Sequence, residues 1–95
     1  MVMVTHAEVA RLIKRVRELS ARVKFLFKGH RYVMVINGFV RAEDKDSSKV
    51  DWQRAFGSLT PAQLLSTLPI EAIEVQTPKE SLKFTNLKDF LKWIT

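Results

Sequence analysis

The chain predicts a two-layer α+β domain, an antiparallel sheet with its helices mainly on one face. Two apolar runs, Val23–Phe27 and Tyr32–Ile36, flank the turn Lys28-Gly29-His30-Arg31. Two helix starts are written as capping boxes, Thr5-His6-Ala7-Glu8 and Thr60-Pro61-Ala62-Gln63. A second strand pair and a closing amphipathic helix follow, so the expected order is α-β-β-(β)-α-β-β-α. With 95 residues, 46% of them hydrophobic, the chain has the size and apolar content for a single domain over residues 1–95 with one core.

The first helix is expected to run from Thr5, its cap, to about Ser20. Val4 and Val9 stand at the positions of a hydrophobic staple. Val9, Leu12, Ile13, Val16 and Leu19 fall on one arc at about 100° per residue, the core stripe, while Arg11, Lys14, Arg15 and Glu18 take the opposite arc. In the hairpin, a Gly29-His30 loop of type II′ sets Phe27 opposite Tyr32, Phe25 opposite Met34 and Val23 opposite Ile36. Strand side chains alternate, so these six share one wholly apolar face, the core face. Arg22, Lys24, Leu26, Lys28, Arg31, Val33 and Val35 share the other.

Asn37-Gly38 carries the signature of a type I′ turn, so Phe39–Ala42 is expected to be a third strand in a meander or the end of a bulged second strand. Glu43–Ser48 reads as a polar loop. Asp51–Phe56 is a short helical turn stopped by Gly57, with Trp52 and Phe56 plugging the core. Pro61 suits the first position of a helix that ends by Leu68, since Pro69 disfavours helical geometry before it. Ile70–Gln76 is a strand, Thr77-Pro78-Lys79-Glu80 a turn and Ser81–Thr85 a return strand. The other reading makes Thr77–Glu80 the cap of a helix running to the end of the chain. Asn86–Ile94 is helical in either case, with Leu87, Phe90, Leu91 and Ile94 spaced for one face. An alternative architecture is a ferredoxin-like βαββαβ order with Met1–Val4 as the first strand.

The formal net charge is +6, unevenly spread. Residues 1–41 hold nine Lys or Arg against Glu8 and Glu18, a net +7, whereas residues 42–95 come to −1. Such asymmetry points to a polyanion, so a non-catalytic nucleic-acid-binding module is the leading expectation. DNA or RNA phosphates would be met by Arg11, Lys14, Arg15, Lys24, Lys28 and Arg31. The alternative is a protein-interaction or homodimeric assembly subunit, using an apolar strip of Leu26, Val33, Val35 and Val40 on the outer sheet face. The absence of cysteine removes disulfides and thiolate metal sites. His6 and His30 stand apart, in no catalytic or zinc-binding motif, so neither a cofactor nor a resident metal is expected. No apolar run approaches 18 residues and no charged-then-apolar leader opens the chain, which leads to the expectation of a soluble, cytoplasmic protein without a membrane partner.

Two resemblances concern nucleic acid. The order helix, three strands, helix, strand resembles the core of the PD-(D/E)XK nucleases, and Glu43-Asp44-Lys45 has that family's acid-x-Lys form. It implies a metal-dependent nuclease. The preceding strand offers Asn37 in place of the family's further carboxylate. Glu74-Val75-Gln76, with Glu71, is a second partial match. Separately, Lys28–Val35 is similar to the signature octapeptide of the RNA recognition motif at Lys28, Gly29, Tyr32 and Val33. That family exposes the sheet face assigned here to the core, so no function is carried over.

Overall fold

The computed structural model describes residues 4–94. The first element is α1 (His6–Glu18), closed at its start by the expected capping box. The Thr5 hydroxyl accepts from the Glu8 amide at 3.1 Å, and the Glu8 carboxylate accepts from the Thr5 amide at 3.3 Å. Its far end is a Schellman motif: the Ala21 amide donates to the Val16 carbonyl and the Ser20 amide to that of Arg17. Ser20 takes φ +52° to close it, a conformation that glycine adopts at lower cost.

The strands β1 (Arg22–Phe27), β2 (Val33–Ile36), β3 (Val40–Glu43) and β4 (Lys49–Val50) form a meander. Then come α2 (Trp52–Phe56), α3 (Pro61–Thr67), β5 (Ile70–Gln76), β6 (Ser81–Phe84) and α4 (Leu87–Ile94). The sheet is antiparallel, in the order β4-β3-β2-β1-β5-β6. The α+β class and the element order agree with the sequence expectation, and Ser81–Phe84 is a strand rather than part of a terminal helix. The ferredoxin-like alternative depends on a strand at Met1–Val4. Met1 to Met3 lie outside the described residues, and Val4 is not in a strand.

The hairpin register is the expected one: Val23 pairs with Ile36 and Phe25 with Met34. The turn differs. The His30 amide donates to the Phe27 carbonyl at 3.2 Å, so Lys28 and Gly29 are its central residues, and Gly29 has φ +74°. The next turn is not type I′ either, because Asn37 keeps a negative φ while Gly38 has φ +75°. Ile36 pairs with Val40, which leaves a three-residue loop of Asn37, Gly38 and Phe39. The polar loop begins one residue later than expected, because Glu43 belongs to β3, and β4 was not anticipated. A bulge between Leu26 and Phe27 sets Phe27 opposite Ile70 instead of Glu71. Glu71 is thereby left exposed and Ile70 joins the core.

Helices α1, α2, α3 and α4 lie on the face that carries Val23, Phe25 and Phe27. Phe90 of α4 meets Phe25 edge-on at 5.5 Å between ring centroids, and Phe56 of α2 meets Phe27 at 6.0 Å. Val9, Leu12 and Val16 of α1, and Leu64 and Leu65 of α3, belong to the same cluster. Val33, Val35 and Ala72 are also buried but lie outside that cluster, on the opposite sheet face.

Two outcomes follow for stability. Phe25→Ala removes a ring with 0% exposure and should lower the unfolding free energy in urea by about 3–5 kcal/mol. Ser20→Gly relieves the positive φ of the helix cap and should raise it by roughly 0.5–1 kcal/mol.

Candidate docking groove

The sheet separates the cations expected to act together. The core stripe of α1 packs against the helix-covered face, so Arg11 and Lys14 point away from the sheet on that side, both exposed. Lys24 alternates with the buried Val23 and Phe25 and therefore projects from the other side. Lys28 is exposed at the hairpin tip. Arg31, also near the tip, is paired with Asp44 at 3.2 Å and lies over the Tyr32 ring at 5.6 Å. Arg15 is committed twice, with its Nε donating to the Ile94 carbonyl at 2.9 Å and its Nη1 to Glu18 at 3.3 Å. The six residues thus form no single surface.

The outer sheet face is organised by a carboxylate. Glu43 has 0% exposure, and its oxygens accept from Arg22 Nη2 at 2.6 Å and Arg41 Nε at 2.7 Å. In the sheet register the Arg22–Glu43 bridge spans β2 over Val35, which accounts for an open face carrying a valine with 0% exposure. Burial alone pushes the Glu43 carboxyl up, but the hydrogen bonds and charges of the two guanidinium groups outweigh it and hold the group below the usual carboxylate range. Both oxygens of this carboxylate, the acid of the acid-x-Lys match with Lys45, accept hydrogen bonds from these arginines. Among the described residues no cluster of three or more His, Asp or Glu could hold a metal ion.

The expected apolar strip is changed in the same way. Leu26, Val33 and Val35 do share the outer face, but Val33 and Val35 are 1% and 0% exposed within the chain itself. Val40 is not among them: it pairs with Ile36 and packs against the helix-side core. The outer positions of β1, β2, β3 and β5 hold no aromatic ring, so the face offers no base-stacking platform of the kind implied by the RNA recognition motif.

On the helix side, α1 and α4 enclose an open groove of about 670 Å³. Its floor is half-buried Leu91, beneath which Leu12 and Ile94 belong to the buried core. Arg11, Lys14 and Arg15 line one wall, and Lys88 and Lys92, both exposed and one helical turn apart, line the other. The carboxylates at the rim are already engaged, Glu8 in the capping box and Glu18 with Arg15. The Arg15–Ile94 hydrogen bond joins the two helices, and its cation sits at the C-terminal end of α4, where the helix dipole places partial negative charge. A smaller recess of about 430 Å³ lies across β1, β5 and β6, lined by Arg22, Lys24, Glu74 and Lys83 among others.

No family model matches the chain, and no curated protein and no solved structure does either. No helix among the described residues is long and apolar enough to cross a membrane.

Sequence reading missed the groove because Lys88 and Lys92 look like an ordinary solvated helix face until Arg15 brings α4 beside α1. It missed the role of Glu43 because a carboxylate at the end of a strand reads as part of the loop that follows.

The Glu43 clasp has a pH signature. Its carboxyl is held below its unfolded-state value of about 4.3, so its stabilisation is present above that pH and is lost as pH falls through the lower folded value. Glu43→Gln should lower stability at pH 7 by about 1–3 kcal/mol. Denaturation curves from pH 7 to about 3 should also fall less steeply for the variant than for the parent chain.

Proposed function

We propose that the chain is a non-catalytic, cytoplasmic interaction module that docks an anionic partner protein in the groove between α1 and α4. The observation that carries this reading is the pairing of an apolar floor with a cationic rim. Such a site suits a ligand with apolar groups at its centre and carboxylates at its edge. The stems of Arg11, Lys88 and Lys92 extend the apolar wall while their charges stay in water.

The second reading is a nucleic-acid-binding module that uses DNA or RNA phosphates, supported by the net +7 of residues 1–41. Against it stand the split of the cations by the sheet and the pairing of Arg15 and Arg31 with the chain's own carboxylates. A homodimer through the outer sheet face is a third arrangement. It has less to offer, because the Arg22–Glu43–Arg41 clasp already takes Val33 and Val35 out of water.

An anionic apolar dye, anilinonaphthalene sulfonate, tests the first reading against the second. Its fluorescence should rise on binding, with amide shift changes confined to α1 and α4, and the double variant Lys88→Glu/Lys92→Glu should bind it about tenfold more weakly. A DNA oligonucleotide in ~50 mM salt should leave the dye in place. Displacement of the dye by the oligonucleotide, with steep salt dependence, would establish the nucleic-acid reading instead.

A further inference from the structure

We propose that the partner segment seated in this groove is an acidic amphipathic helix. The inference rests on the docking reading and adds the conformation and chemistry of the ligand. Both walls of the groove are helices, whose main-chain groups bond within the helix, so no free strand edge is offered to an incoming chain. A helix, which satisfies its own backbone, enters such a groove without needing a strand edge to pair with.

The dimensions agree. Helix α4 has eight residues, a wall of about 12 Å, which matches two to three turns of a helix laid along it. Leu12 and Ile94 are only 5% and 1% exposed, so the apolar surface a ligand meets is half-buried Leu91 with the stems of Lys88 and Lys92 one turn and one residue away. A partner stripe spaced i, i+3 or i+4, and i+7 would seat on them.

Charge sets the rest of the ligand. Arg11 and Lys14 on one wall and Lys88 and Lys92 on the other form no ion pair among the described residues. A helix with Asp or Glu on both sides of its apolar stripe would meet a cation at either rim. Among the described residues the groove has no aromatic side chain, so a nucleic-acid strand finds no ring to stack on.

The test uses the intact chain and four labelled probes. These are a synthetic peptide of Leu and Glu patterned as an amphipathic helix, a scramble of identical composition, a single-stranded oligonucleotide and a duplex. Fluorescence anisotropy should place the patterned peptide at least about tenfold tighter than its scramble, and the peptide should gain helical circular dichroism on binding. Lys88→Glu/Lys92→Glu should weaken the patterned peptide by about tenfold or more. Lys24→Glu/Lys83→Glu, on the opposite sheet face, should leave it unchanged. Melting curves confirm that both variants are folded. Equal binding of the scramble would overturn the proposal, since charge alone would then suffice. Tighter binding of either oligonucleotide at the same lysines would overturn it in favour of nucleic acid. Dye binding without peptide binding would reject the helix and leave the docking groove standing. Failure of the dye and both peptides would reject the groove itself.

Discussion

The alternation of β1 is the constraint on which the rest of the molecule depends. This strand lies between β2 and β5, away from both sheet edges. Val23, Phe25 and Phe27 point to one side with at most 2% exposure, while Arg22, Lys24 and Leu26 point to the other. A slip of one residue would place Lys24 beneath the helices and Phe25 in water, so the register is held by the hydrophobic effect as much as by the ladder. The bulge at the end of the β1–β5 pairing serves the same end by admitting Ile70 to the core and excluding Glu71.

The two sides of this sheet solve the problem of burial differently. On one, helices supply aromatic and aliphatic side chains, and Phe25, Phe84, Phe90 and Trp93 form a chain of ring contacts reaching the half-exposed Trp93. On the other, no helix is present among the described residues, and long charged side chains cover the central valines. A buried carboxylate held by two partly exposed arginines contributes less to stability than its short distances suggest, because desolvation of the carboxylate offsets much of the attraction. Its more evident consequence is geometric: it ties β1 to β3 across β2 and fixes which side chains roof the face.

Much of this architecture was legible in the sequence, and the reasons are local. Both capping boxes, the hairpin register and the Gly57 stop depend on residues close along the chain. What was not legible depended on distant partners or on backbone detail. The turns at Gly29 and Gly38 have the expected glycines, but the hydrogen bonds around them select other turn geometries. Val40 looked like part of an outer strip because its place in β3 depended on the length of the preceding loop. The groove requires α1 and α4 to meet, residues nearly the whole chain apart, and is sealed by a bond from Arg15 to the Ile94 carbonyl that no residue pattern announces.

The division of surfaces by the sheet is tested most directly by nuclear magnetic resonance on the chain in solution with a soluble gadolinium chelate. Cross-relaxation should connect the Phe25 and Phe90 rings, the Met34 methyl should be shielded from the chelate, and the Lys24 side chain should be strongly relaxed by it. A bleached Met34 methyl, a protected Lys24, or no contact between the two rings would contradict the account at its base.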